Sequence, residues 1–427
     1  MFFVFLPFLI LAFIYLKVSL QDIAVRNDVG YPEGASVYSF LTAMRTGKLY
    51  SSPFDPPFNP QMYPPVFYMI GWAFAAAAHG EPMLTARLWR LLSFLCYLGS
   101  AGIKGFLSWK LERTKRWAAV SILLGLACAW AIPFSATVRS DEFSIFFILS
   151  ALTIYTVAQG RAGLVFWAGV LGSISCLTKQ STAPVLFALM IDLLMARRFR
   201  RFAALVAGCL PVPILILLVL LLRHEPFLAN FLAAGHAVFS WSTVLPTAID
   251  YMRTNEIAII PFSIALLTVG LSWKKGRYRP VLLVCVFVWL SSLAALANVG
   301  GYSNYLILPW LMTVLLMPAG LCKIEAWARH SFLIPLGLTL IGGFLLVHQR
   351  NLLPKLPAEL DTSGVDQMKM PSDLPYLEMH SLQPELLDPY YYNMLSSQGM
   401  WSAQPIIHQI AGEDYDVILI GGGGRPK

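Results

Sequence analysis

Two carboxylates stand in a polar loop directly after the first apolar run of this chain, in the stretch Asn27-Asp28-Val29-Gly30-Tyr31-Pro32-Glu33-Gly34. Further polar groups recur at the ends of later apolar runs: Arg139-Ser140-Asp141-Glu142, Lys179-Gln180, and Tyr302-Ser303-Asn304. A carboxylate at such a place can take the proton of an acceptor hydroxyl or amine. Lysine and arginine can hold a phosphate as its charge develops on leaving. These types together fit transfer of a sugar from a lipid-linked phosphate, whose tail stays in the bilayer and so requires a site at the membrane surface. On that reading Asp28 or Glu33 activates the acceptor and Asp141 orients acceptor or base. Lys179, Gln180 and Arg139 bind the donor phosphate, with Arg87 or Arg90 as further candidates.

The plainer alternatives are a helix cap for Asp141 and Glu142, snorkelling for Lys179 and a solvated loop acid for Asp28. Tyr63, Phe67, Tyr68 and Trp72 fit the lining of a lipid-facing opening. They fit an interfacial aromatic belt equally well. Tyr302 and Asn304 are further candidates for substrate contact.

The elements that must position these groups are hydrophobic. Of 427 residues 57% are hydrophobic and 13% charged, and the mean hydropathy is +0.64. Repeated long apolar runs in such a chain mean a polytopic, all-α membrane protein. The net charge of +8 comes from basic clusters in short loops, a topology signal rather than a nucleic-acid surface, so no nucleic-acid partner is expected. The cysteines lie in or at the ends of apolar runs with no CxxC pair and read as packing residues. The histidines form no ligand pattern. No cofactor or metal is therefore expected, a divalent cation held by the acids being the alternative.

About eleven spans are expected: 2–20, 84–108, 117–136, 143–159, 163–178, 181–196, 202–222, 256–272, 280–297, 303–321 and 331–347. The first lacks a basic leader and a cleavage site and reads as a retained span. Segment 62–78 is apolar but short and opens on Pro64-Pro65. The basic clusters at 110–116, 197–201, 274–279 and 323–329 belong in the cytoplasm. If 62–78 does not cross, every polar group named above falls on the outer side. It is therefore read as a juxtamembrane helix, following an amphipathic stretch at 36–45. The expected domains are a transmembrane module, 1–347, with its outer loop at 21–83, and a small proline-punctuated extracytoplasmic domain, 348–427. The latter has α/β character from an apolar strand at 416–420.

The order of an acidic loop, Gly47-Lys48-Leu49-Tyr50, Tyr63-Pro64-Pro65 and Arg87-Leu88 resembles the GT-C glycosyltransferase superfamily. So do Arg139-Ser140-Asp141 and Leu177-Thr178-Lys179-Gln180-Ser181. Within that superfamily the chain looks like bacterial family-39-like proteins, relatives of the protein O-mannosyltransferases and aminoarabinose transferases. Asp28-x-Gly30-x-x-Glu33-Gly34, Ser303-Asn304-Tyr305, Leu387-Asp388-Pro389-Tyr390 and Gly399-Met400-Trp401 carry this narrower likeness. The resemblance implies a GT-C-like bundle in the bacterial inner membrane and an extracytoplasmic site. It also implies a polyprenyl-phosphate sugar donor and an inverting, hexosyltransferase-like reaction. The first-loop acid is then the base, Asp141 the second-loop acid and Lys179 the phosphate-side lysine. The usual adjacent Asp-Glu pair is absent, and Glu33 stands nearest its place. The acceptor is a glycan, lipid or protein. The rivals are a lipid-linked-sugar flippase and a non-catalytic subunit of a polysaccharide assembly complex.

Overall fold

The computed structural model describes residues 2–25, 33–54, 59, 61–128, 131, 134–158, 160–235, 241–253, 278–297, 303–328 and 404. All regular structure among them is helical. The segments expected at 256–272 and 331–347, nearly all of the C-terminal domain with its expected strand, and Asp28 and Tyr302 lie outside the described residues.

The long apolar runs are helices α1 (Phe2–Ala24), α4 (Pro82–Glu112), α5 (Lys115–Leu126), α6 (Asp141–Val157), α7 (Ala162–Cys176) and α8 (Ala183–Met195). They continue as α9 (Phe199–Cys209), α10 (Pro211–Leu222), α13 (Arg279–Ala295) and α14 (Ile307–Ala328). Between them lie the shorter α2 (Glu33–Thr46), α3 (Pro65–Ala77), α11 (Phe227–Gly235) and α12 (Trp241–Arg253). Among the described residues, two helical stretches, Pro82–Glu112 and Phe199–Leu222, are long and apolar enough to cross a membrane by length and composition. The outward face of α10 carries Ile214, Leu215, Leu218, Leu221 and Leu222, all exposed. An apolar patch of that extent suits contact with lipid rather than water.

Local sequence sets the helix ends. Pro65 and Pro82 occupy first-turn positions, where a missing N–H costs nothing. Glu81 caps α4 by accepting from the Met83 amide at 3.1 Å. The segment 62–78, expected as a surface helix, is helical from Pro65 and packs against α2 and α4.

Two apolar cores result. The larger joins α1, α4 to α9, α13 and α14. The smaller lies between α2, α3 and the start of α4, with Val138, Phe143, Ile216 and Leu220. It is built from rings: Phe40 stacks on Trp89 at 5.4 Å, and Phe67 meets Trp89 edge-on at 4.7 Å. This second core is the platform under the site.

Helices α7 and α9 touch through glycines. A Cβ on Gly208 would stand 2.0 Å from the Phe166 carbonyl oxygen, and one on Gly169 would stand 2.4 Å from that of Leu205. Small residues of this kind let helix backbones approach where no hydrophobic effect drives association. Gly208→Val is expected to destabilise the detergent-solubilised protein by about 1–3 kcal/mol, read as a lowered thermal midpoint. An unchanged midpoint would contradict this contact.

Candidate functional site

The α6 helix opens on Ser140-Asp141-Glu142. The N-cap position falls on Ser140, whose side chain makes no cap hydrogen bond, and Asp141 and Glu142 lie in the first turn after it. Asp141 instead uses its carboxylate at long range. Oδ1 accepts from the Lys179 ammonium and from Asn304 Nδ2 (3.0 Å), and Oδ2 accepts from Arg139 Nε (3.2 Å). Asp141 is 2% exposed and Lys179 7%. Three loops thus deliver four side chains to one buried point.

Each loop is held in place. The Arg139 backbone oxygen accepts from Trp89 Nε1 (3.1 Å), and the Arg139 guanidinium lies over the Phe134 ring. Lys179 sits in extended backbone between α7 and the 3-10 turn Gln180–Thr182. Its amide donates to Ser175, and Thr182 Oγ1 donates to its carbonyl (3.0 Å). Ser175 Oγ in turn donates to the Ser144 carbonyl of α6 (2.7 Å). Asn304 stands in the 3-10 turn Ser303–Leu306 that precedes α14. The Lys179 ammonium also lies 5.1 Å above the Tyr305 ring.

Burial pushes the Asp141 carboxyl up, but Lys179 and Arg139 outweigh it and hold it down at about 2. Burial also lowers Lys179, with Asp141 opposing. Burial works against the Arg139 charge, and Tyr63 and Asp141 more than restore it, so its net shift is upward. Asp141 is therefore a fixed anion between two cations, not a proton acceptor at neutral pH. A small cavity with about 20 Å³ of room, a space for roughly one water, opens beside the cluster. Asp141, Ser144, Lys179, Thr182, Ser292 and Tyr305 are among its lining residues. The four of these besides Asp141 and Lys179 carry no charge and sit within apolar sequence, so charge-based reading passed over them.

Glu33 has another setting. It begins α2, is 1% exposed, and forms a two-pronged ion pair with Arg90: Nε–Oε1 is 2.9 Å and Nη2–Oε2 is 2.5 Å. Oε1 also accepts from the Val138 amide (2.8 Å). Arg90 Nη1 donates to the Val25 carbonyl (2.6 Å). The arginine considered above for phosphate is thus buried with Glu33, and the pair anchors the loop that carries Arg139.

Gln180, grouped with Lys179 by sequence, is exposed. On α3, Phe67 and Tyr68 face inward and are buried, whereas Trp72 is 44% exposed. Residues 67, 68, 71 and 75 share the buried helix face, so Tyr68 packs inside rather than lining a lipid opening. Its hydroxyl accepts from the Tyr63 amide (3.3 Å), and Tyr63, half-buried, accepts from the Tyr50 hydroxyl (2.8 Å). The Val66 amide donates to the Leu177 carbonyl (3.0 Å). The Gly47-Lys48-Leu49-Tyr50 motif is gripped from a later loop: Glu225 Oε2 accepts from the Leu49 (2.9 Å) and Tyr50 (3.1 Å) amides.

No protein-family model matches the chain, and no curated protein matches it. Solved structures do. ArnT from Cupriavidus metallidurans, bound to undecaprenyl phosphate, superposes with a TM-score of 0.57 at 16% identity, over 87% of this chain and 67% of that one. The oligosaccharyltransferase AglB from Archaeoglobus fulgidus, in complex with an inhibitory peptide and a dolichol-phosphate, gives 0.53 at 10% identity, over 90% and 64%. The same organism's oligosaccharyltransferase in complex with Zn and sulfate gives 0.51 at 12% identity, over 90% and 62%. The chain thus spans about two thirds of the length of these proteins or slightly less, and it shares their fold.

Proposed function

We propose that this chain is a membrane glycosyltransferase that takes a sugar, in a hexosyl-type transfer, from a polyprenyl-phosphate carrier. It delivers the sugar to a cell-envelope glycan, lipid or protein on the outer side of the bacterial inner membrane. The observation that carries this reading is the buried meeting of Arg139, Asp141, Lys179 and Asn304, drawn from three separate loops. It occurs on a fold shared with a protein whose structure holds undecaprenyl phosphate.

The chemistry follows from charge. The bond between the sugar's anomeric carbon and the phosphate oxygen breaks, and the electron pair stays on the phosphate. An ammonium offers three donors, and Lys179 directs one to Asp141. With Arg139 it supplies preorganised positive charge for the departing phosphate in a site that excludes most water. The acceptor oxygen or nitrogen attacks from the opposite face, which inverts the anomeric centre, and its proton goes to a carboxylate. Asp141 is held by three donors and Glu33 by Arg90 and Val138, so the base is assigned to Asp28. Asp141 orients the two cations, and Glu33 positions the loop behind them.

Asp28→Asn is expected to abolish transfer while leaving binding of undecaprenyl phosphate intact. Product is measured by mass spectrometry and binding in lipid nanodiscs. Retention of full activity would remove Asp28 from the role. Cells lacking the protein should accumulate a polyprenyl-phosphate sugar, and unchanged lipid-linked sugars and envelope glycans would overturn the assignment.

A further inference from the structure

Glu142, next to Asp141, has no place in the reaction described above, yet it is among the most buried acids among the described residues. It is 1% exposed, and both carboxylate oxygens are buried without a hydrogen-bond partner. Lys104, in the interior of α4, is likewise 1% exposed and acts on Glu142 as its countercharge. An ionised carboxylate left without donors in a dry site is costly, and its neutral form far less so.

We propose that Glu142 couples donor binding to proton uptake: when the carrier's phosphate docks at Lys179 and Arg139, Glu142 takes a proton from bulk water and Lys104 sets its threshold. This rests on the reading that the cluster binds phosphate.

The groups facing Glu142 explain the direction. Asp141 lies beside it on α6, Lys179 comes from the turn after α7, and Cys96, Tyr97 and Lys104 come from α4. Cys128, beyond α5, acts on Tyr97 and Lys104. Burial pushes the Glu142 carboxyl up, Asp141 adds to this, and Lys104 and Lys179 oppose, leaving it at about 8. At the docking cluster itself, Arg139 and Lys179 are just balanced by Asp141 and Glu142 when both acids are ionised. Protonation of Glu142 frees one positive charge there, which suits the single negative charge of the donor's phosphodiester. An arriving phosphate both engages Lys179 and adds a like charge near Glu142. Each effect raises the carboxyl further. The bound state therefore holds the proton more tightly than the free state. Affinity is full below the free-state value, falls as pH rises through it, and levels off above the bound-state value. No bond of the lipid changes in this step.

The test uses the full chain in nanodiscs with undecaprenyl phosphate as the probe, from about pH 7 to about pH 9.5. Wild-type affinity is expected to fall by as much as about tenfold per pH unit above the threshold, the limit for one coupled proton. A pH-indicator dye should register uptake on binding near the threshold. Glu142→Gln, which mimics the neutral acid, should bind with wild-type affinity at the low end and lose this slope. The ligand's own titration cancels in the comparison. Lys104→Met should move the threshold upward. Equal slopes for wild type and Glu142→Gln overturn the coupling alone, as does absence of proton uptake by a wild type that binds. Absence of saturable binding by the wild type overturns the phosphate reading and the coupling with it.

Discussion

Replacing Lys179 with methionine is expected to lower the rate of sugar transfer by about a hundredfold or more, with insertion and expression unchanged. The side chains are close in length, so the change removes a charge from a packed site and little volume. Lys179 lies within a group whose members hold one another, so its loss acts twice. The departing phosphate loses a preorganised donor. Asp141 loses its strongest partner and keeps Arg139 and Asn304. The rate should fall mainly through kcat, because the interaction strengthens as charge develops on the phosphate. Undecaprenyl phosphate, which carries the full charge, should also bind more weakly. Transfer assays and binding in nanodiscs measure the two effects. A wild-type rate in Lys179→Met would remove the cluster from catalysis.

The second large effect concerns Glu33 and Arg90. Both are buried and joined by two hydrogen bonds. Removing one partner leaves an uncompensated charge in a dry place, which costs about 3–5 kcal/mol. Glu33→Gln and Arg90→Met should each lower the thermal midpoint strongly. The double variant should recover part of the loss, because neither Glu33 nor Arg90 is then left as a lone charge, although buried Asp22 also loses Arg90 as its countercharge. That non-additivity is the signature of a structural pair. If Glu33 were instead the base, Glu33→Gln would abolish transfer while leaving the thermal midpoint near wild type, and Arg90→Met would not rescue it.

The site was legible in sequence where charge is costly. Asp141, Arg139, Lys179 and Asn304 are polar residues at the ends of apolar runs, and the basic loops led to the expectation that they share one side. Such residues survive beside a bilayer chiefly where they meet one another, and here they do. The pairing of Glu33 was hidden, because Arg90 stands 57 positions away on another helix and no local pattern links them. Lys104 looked like a span-end residue because its apolar run stops near 108. The helix continues to Glu112, which places the lysine in its interior. A helix-cap role for Glu142 stayed open because the charges that act on it, Lys104 and Lys179, lie on α4 and in the turn after α7. The inward face of α3 was obscured by its composition: an aromatic helix looks alike whether its rings meet lipid or a core, and only the neighbouring α2 decides.

The hydrogen bond from Val66 to Leu177 has a mechanical consequence. It ties the first turn of α3 to the residue two places before Lys179, so a movement of α3 is transmitted to that lysine. The outward side of that helix carries Met69 and Trp72, both exposed. On the proposed function, this tie makes lipid composition a control on transfer, and reconstitution in bilayers of different thickness is expected to change the rate.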